Sequence, residues 1–238
     1  MKIAIIGATS FVGQNLMAQL SRKKINIIAT YKSNKEIKKT HKVTWKKLDI
    51  EQSKKNYFKY LGSPDVVLNL AWPDISNYRL KKHFKTFSYQ KKLNYNLIKN
   101  GLKNLIILGT CYEYGKIQGK ISENIKEKPV IPYAISKLKL LRCILELKKK
   151  NPFKFAWLRP FFVYGKNKKR STLYTLIKEL DKNKISRLKI CGSLVRDFIS
   201  INFLCLIIIK IIILNKDLGI LNVCSGKGTS VKNFIKKI

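Results

Sequence analysis

KIAIIGATSFVG, residues 2–13, decides the fold. Its first half, KIAII, is a short apolar run of the kind buried on both faces of a parallel sheet, and Gly7 breaks it into a loop that opens a helix. In such a strand–turn–helix unit Gly7 permits the tight bend, and the place held by Ser10 is where the backbone approaches a pyrophosphate. Gly13 lets the helix pack closely on the strand. The phosphate then meets the free N–H groups of the helix N-terminus. The pattern is G-x-x-S-x-x-G, so in isolation it also fits an ordinary strand–helix turn. Its place on the first strand, followed by a second apolar run INIIAT at 25–30, favours the dinucleotide reading.

Further strands are expected near 42–48, at DVVLNLA (65–71), at NLIIL (104–108) and at FKFAWLRP (153–160), with helices over 79–100 and 132–149. This alternation predicts an α/β protein, a Rossmann-type doubly wound parallel sheet over 1–160 that binds NAD(P). After Gly165 the pattern loosens into a polar link, a helix near 171–182, the strand and loop LKICGSLVRDFIS, an apolar helix over 201–214 and the strand LGILNVCSG. We expect 161–238 to be a small, shortened substrate-binding part.

Strand ends in such a sheet point to the ligand crevice. An acid after the second strand would hold the ribose hydroxyls of NAD, and none is present. Thr30-Tyr31-Lys32-Ser33 offers a cation and hydroxyls instead, which suits the extra phosphate of NADP, although Lys32 also reads as one more solvated lysine. NADP is therefore the expected cofactor and NAD the alternative. Asp49-Ile50 ends the third strand as an edge for adenine, and the fourth ends in Trp72-Pro73.

The fifth strand delivers Thr110 to the same edge, and downstream comes PYAISK, 132–137. Tyr133 and Lys137 are four apart on a helix, so the ammonium can sit beside the phenol and lower its pKa from about 10. Such a phenol serves as general acid or base on an alcohol–carbonyl pair, with Thr110 holding the same oxygen. The spacing also occurs at Tyr78/Lys82 and Tyr95/Lys99, so it is the position of Tyr133, after Pro132 at a helix start, that distinguishes it.

The chain has 50 Lys and Arg against 13 Asp and Glu, a formal charge of +37. The cations are spread over nearly every presumed loop and outer face, with no aromatic-interleaved basic motif, so no dedicated nucleic-acid role is expected. Five widely spaced cysteines without a CxxC pair indicate neither a disulfide framework nor a metal site, and suit a reducing compartment. No export signal is read at the N-terminus, and FLCLIIIKIIIL at 203–214 is too short for a membrane span, so a cytoplasmic location is expected.

GATSFVG, NLAWPDISNY, TCYEYG, PYAISK, LRPFFVYG, VRDFI and NVCSG, taken in order, make the chain resemble the extended short-chain dehydrogenase/reductase family, the NAD-dependent epimerase/dehydratase group, whose members act on nucleotide sugars. LAWPDISNY, GTCYEYG and CGSLVRDF look most like the dTDP-4-dehydro-6-deoxyhexose reductases, the group containing dTDP-6-deoxy-talose 4-dehydrogenase. The resemblance implies that Gly7, Ser10, Phe11, Val12 and Gly13 line the cofactor pyrophosphate and that Asp49 and Ile50 meet the adenine. Ala71 and Trp72 would meet the nicotinamide-side phosphates, and Lys137 the nicotinamide ribose. Asn77 and Tyr78 would lie against the sugar nucleotide, and Arg196 would grip its pyrophosphate unless it pairs with Asp197 to fix a turn.

Three residues depart from the pattern: Ser10 replaces a glycine, Gln90 an asparagine and Phe162 an asparagine on the substrate. Family members usually continue beyond the FIKKI at which this chain stops, so the sugar pocket is expected to be incomplete or finished by another subunit of a homodimer.

Dehydrating members carry an acid and a base directly after the strand-end threonine, where this chain has Cys111 and Tyr112. Glu113 is one place further on and is expected to turn away from the sugar. Members that epimerise C3 and C5 pair a cysteine two places after the threonine with a histidine. Here Cys111 is one place after it, Asn167 stands near the histidine position, and His41 and His83 read as surface residues. What the resemblance leaves is reduction of a C4 ketone of a nucleotide-linked 4-keto-6-deoxy sugar. The alternatives are a 4-epimerase with retained NAD, and a non-catalytic NADP-binding or RNA-associated protein on the same fold.

Overall fold

The computed structural model describes residues 1–20, 23, 25–33, 43–165 and 193–237. Strand β1 (Lys2–Ile6) leads to α1 (Phe11–Leu20), β2 (Asn26–Tyr31), β3 (Val43–Lys47), the single turn α2 (Tyr57–Tyr60) and β4 (Val66–Asn69). Then come α3 (Lys82–Lys99), β5 (Asn104–Leu108), α4 (Pro132–Lys150), β6 (Lys154–Pro160) and β7 (Phe162–Tyr164). The described chain continues through β8 (Val195–Ser200), α5 (Ile201–Leu214), β9 (Gly219–Val223), β10 (Gly228–Ser230) and α6 (Val231–Ile235).

Seven strands form one parallel sheet in the order β3-β2-β1-β4-β5-β6-β9. The order reverses between β1 and β4, so the ligand crevice opens beyond the carboxyl ends of these two strands. The pleat divides β1 between two cores. Ala4 and Ile6 join the layer built with α3 and α4, and Ile3 and Ile5 join the layer that holds Leu16 of α1 and Leu204 and Ile208 of α5. Burial on both faces is why these strands read as unbroken apolar runs.

The sheet does not end at residue 160, where the sequence reading placed a boundary. β9 pairs in register with β6, from Ala156 opposite Gly219 to Pro160 opposite Val223, and α5 shares its apolar core with α1. Ile, Leu and Val residues of 201–223 find their burial partners on this layer, so they complete it. What remains apart is a three-stranded sheet, β10-β8-β7, over which the Phe198 and Phe234 rings stack at 3.8 Å. The expected helix near 171–182, Asn167 and His41 lie outside the described residues. Among the described residues no helix is long and apolar enough to cross a membrane.

The β1–α1 turn is as tight as its glycines require. Gly7 has a φ of +83°, and a Cβ there would lie 2.9 Å from the Ala71 nitrogen. A Cβ on Gly13 would lie 2.5 Å from the carbonyl oxygens of both Gly7 and Ala8. Ser10, in the central place, accepts the Gly13 N–H through Oγ at 3.1 Å and so closes the first turn of α1. Gly13→Ala is expected to force α1 off the loop and to destabilise the fold by about 1–3 kcal/mol, as overpacking does. A melting temperature equal to wild type in calorimetry would contradict this packing.

Candidate active site

At the end of β5 the chain turns through Gly109 and Thr110 into a single 3₁₀ turn, Cys111–Tyr114. Thr110 caps it: its Oγ1 accepts the Tyr112 N–H at 3.3 Å, and its own N–H donates to Glu113 Oε1 at 3.0 Å. The Thr110 hydroxyl proton is thereby left to serve another acceptor. Glu113 has no exposed surface, and its carboxylate also accepts from Trp157 Nε1 at 3.1 Å and from Arg159 Nε at 2.7 Å. Burial pushes this carboxyl up, and Arg159 pulls it back. Arg159 is equally buried, reaches Glu127 with Nη2 at 2.6 Å and lies 4.5 Å over the Tyr114 ring. Glu113 is thus a structural anion, buried against Arg159.

Pro132 at the first turn of α4 places Tyr133 at the helix start, where its N–H donates to the Tyr78 carbonyl at 3.2 Å. Lys137 follows one turn later, and both side chains are buried. The ring of Tyr78 stacks on that of Tyr133 at 5.1 Å, Trp72 meets it edge-on at 5.8 Å, and His83 lies 5.4 Å away. Lys137 Nζ donates to the Leu108 carbonyl at 2.6 Å, lies 4.1 Å over the Trp72 ring and is 6.0 Å from the centre of the Tyr133 ring.

Lys137 was expected to hold the Tyr133 phenol below its ordinary range, and here burial wins instead. It pushes the phenol well up, with Tyr78, Glu113, Cys111 and Tyr112 adding to the shift. Lys137 itself is pushed down to about 7 by burial, with Glu113 opposing. The physical reason is where the ammonium is aimed, at a carbonyl and an indole face rather than at the phenol oxygen. In this state Tyr133 is a protonated phenol, a proton donor.

The cofactor-side residues gather along the same edge. Gly7, Ser10, Phe11, Val12 and Gly13 make the β1–α1 turn, and Ala71 and Trp72 follow β4 across the switch point. The tight Gly7 turn against Ala71 and the close approach of α1 to β1 at Gly13 bring the N-terminus of α1 to the crevice edge, which fits a dinucleotide pyrophosphate. Asp49 and Ile50 follow β3, and Lys32 follows β2 with its Nζ 2.7 Å from Glu51 Oε1 and 3.1 Å from Asp49 Oδ2.

The substrate-side candidates are split. Tyr78 is in the aromatic wall, as is Tyr112, whose ring lies 5.2 Å from that of Tyr78 and 5.9 Å from that of Phe162. Asn77 is exposed, its Oδ1 accepts the Arg79 N–H at 3.1 Å, and its carbonyl oxygen contacts His83. Arg196, on β8, lies 5.2 Å over the Phe162 ring and donates to the Val195 carbonyl. It does not pair with Asp197, whose two oxygens accept the Ser225 and Gly226 N–H groups at 2.7 Å each. Arg196 is near enough to Cys111 to pull against the burial that pushes that thiol up to about 12.

Two features were missed in the sequence. His83, read as a surface residue, has no exposed surface: its ring fills the space between Trp72, Asn77 and Tyr133. Gln90 is a member of a buried amide network, accepting from Asn69 at 2.7 Å and donating to the Ala71 carbonyl. The signal was the spacing 83, 86, 90, 94, which puts His, Thr, Gln and Asn on the buried face of α3 together with Leu93 and Leu97.

Glu113→Gln removes the counter-charge of a buried guanidinium and is expected to destabilise the protein by about 3–5 kcal/mol. Glu127→Gln, at a partly exposed carboxylate, should cost clearly less. Equal costs in urea unfolding would show that Glu113 does not neutralise Arg159.

A sequence profile of the NAD dependent epimerase/dehydratase family matches residues 3–224. Among curated proteins, dTDP-6-deoxy-L-talose 4-dehydrogenase (NAD(+)) of Aggregatibacter actinomycetemcomitans is 25% identical over 100% of this chain and 89% of its own length. The UDP-glucuronic acid 4-epimerase of Bacillus cereus, solved with UDP-glucuronic acid and NAD, superposes with a TM-score of 0.82 at 20% identity, over 100% of this chain and 82% of that one. The UDP-glucose 4-epimerase of Thermotoga maritima, solved with UDP-glucose, gives 0.80 at 19% identity, over 99% and 81%. The glycine turn, the switch-point crevice and a profile match across nearly the whole chain agree, and the chain belongs to the NAD dependent epimerase/dehydratase family.

Proposed function

We propose that this protein is a nicotinamide-dependent oxidoreductase that reduces the C4 ketone of a nucleotide-linked 4-keto-6-deoxy sugar. The observation that carries the reading is the buried, protonated Tyr133 phenol, one helical turn from Lys137, with the other acid–base candidates described around it already engaged. Among the described residues near it, Glu113 is committed to Arg159, and the Cys111 thiol is held protonated by burial. Dehydration across C5–C6 and epimerisation at C3 and C5 both need a second acid–base pair. Reduction at C4 needs one proton donor.

A dihydronicotinamide bound along Gly7–Gly13, Asp49, Ile50, Ala71 and Trp72 would supply the hydride. Thr110 would donate its free hydroxyl proton to the ketone oxygen and hold it in place. Tyr133 would transfer the phenol proton to that oxygen as carbon–hydrogen bond formation turns it into an alkoxide. Lys137 would have to turn from the Leu108 carbonyl to stabilise the phenolate that remains until a proton returns from solvent. Tyr78, Tyr112 and Phe162 would pack on the sugar, and Arg196 would meet the nucleotide pyrophosphate at the rim. The curated relative's name describes the reverse direction at the same carbon.

Lys32, the cation that would serve a 2′-phosphate, is already matched by two carboxylates. A 2′-phosphate there would face Asp49 and Glu51, which supports NAD over NADP, as does the NAD(+) in the relative's name.

The test is purified protein with NADH against a panel of 4-keto-6-deoxy sugar nucleotides, followed by loss of reduced nicotinamide. Tyr133→Phe should lower kcat by at least about a hundredfold with cofactor affinity kept, as for a lost general acid. Release of a 4-keto-6-deoxy product from an intact hexose, or exchange of C5 hydrogen with solvent, would sink the reductase reading. NAD retained through purification, with interconversion of C4 epimers, would mark an epimerase. For the cofactor, titration should give tighter binding of NAD than of NADP, and Glu51→Gln should narrow the gap by about fivefold, the scale of one exposed ion pair. Tighter NADP binding by wild type would overturn this preference.

A further inference from the structure

His83 is a titratable group that the reaction above does not use, yet it lies fully buried against Tyr133. Its Nδ1 is 3.2 Å from Trp72 Nε1. An indole nitrogen only donates, so Nδ1 is the acceptor and carries no hydrogen. Nε2 must then carry it and donates to the Asn77 carbonyl at 3.0 Å. Both ring nitrogens are used, and the imidazole is fixed as one neutral tautomer. A protonated ring would set two donors face to face.

The other side of the indole matters more. Lys137 Nζ lies 4.1 Å over the Trp72 ring, and the Tyr133 ring meets the same indole at 5.8 Å. The main chain on the N-terminal side of Trp72 is held at Ala71, whose N–H donates to Asn69 and whose carbonyl accepts from Gln90. Those bonds do not themselves set the side-chain torsions of the indole. Among the described residues its one hydrogen bond is to His83.

We propose that His83 is a positioning residue: by holding the Trp72 N–H it fixes the aromatic face on which the Lys137 ammonium rests and the wall against which the Tyr133 phenol packs. This rests on the reading of Tyr133 and Lys137 as the proton-handling pair. Without His83 the indole N–H is buried with no acceptor, the ring turns to find one, and Lys137 loses its desolvated cation–π contact.

The chain has two histidines, so imidazole ¹⁵N spectra of the intact protein can resolve this, with His41→Gln removing the second signal. One ring should show the Nε2–H tautomer. Trp72→Phe should release it from that single tautomer. His83→Leu should lower kcat about thirtyfold, the scale of a desolvated cation–π contact, with little change in KM for the sugar nucleotide. His83→Gln, whose amide can both accept from the indole and donate to Asn77, should restore most of the rate. In a Trp72→Phe background, His83→Leu should add little.

An Nδ1–H tautomer at His83, a spectrum unmoved by Trp72→Phe, or wild-type turnover in His83→Leu would each overturn the inference. If His83→Leu does not fold, His83→Gln and Trp72→Phe decide it. A protein that turns over no keto-sugar defeats the proposed reaction, while the tautomer and its response to Trp72→Phe still decide the role of His83.

Discussion

A carboxylate and a guanidinium with no contact to water sit at the junction of four parts of this protein. Burying either charge alone would cost several kcal/mol, so Glu113 and Arg159 are bound to stay together, and everything attached to them is held as well. Through Glu113 the pair fixes the Thr110 N–H and the Trp157 indole. Through Arg159 it fixes Glu127 and the face of Tyr114, whose hydroxyl donates to Asn222 on β9 at 2.7 Å. The turn that presents Thr110 is therefore clamped from the strand beside it and from the edge strand beyond that. Gly109 has no room for a side chain because the Trp157 indole nitrogen would lie 2.2 Å from its Cβ.

Next to this clamp is an aromatic cluster of Tyr133, Tyr78, Tyr112, Trp72 and His83. Its two candidate proton carriers are pushed towards their neutral forms, the lysine down and the phenol up, because burial disfavours either charge. The lysine is thereby poised near neutral pH, whereas the phenol cannot ionise cheaply until a ligand brings compensating dipoles. Such a site spends little time as a free phenolate able to react with the wrong partner.

Most of the sheet was legible because parallel strands buried on both faces leave runs such as Ile3–Ile6 and Asn104–Leu108, which no helix period explains. The tight turn was legible because glycine alone fits at Gly7 and Gly13. What escaped was burial achieved by polar residues. Gln90 and Asn94 occupy core positions through hydrogen bonds to each other and to Asn69, and His83 through Trp72 and Asn77, and hydrophobicity carries no trace of that. The direction of Lys137 escaped for a related reason: four-residue spacing puts it near Tyr133, but the Leu108 carbonyl on the next element decides where the ammonium goes. The boundary at residue 160 failed because LGILNV shows that a strand exists and not which sheet it joins.

The layer formed by β1, β2, β4 and α1 is closed by α5, which the chain supplies only at residues 201–214. During synthesis, Ile3, Ile5, Leu16 and Leu20 emerge first and wait for Leu204, Ile208 and Ile212 through nearly two hundred further residues. Until then an apolar surface rich in isoleucine stands open, and the neighbouring edge of β6 lacks the partner that β9 will become. The nascent chain is therefore an adhesive object for most of its production, and its high positive charge is what keeps such chains apart.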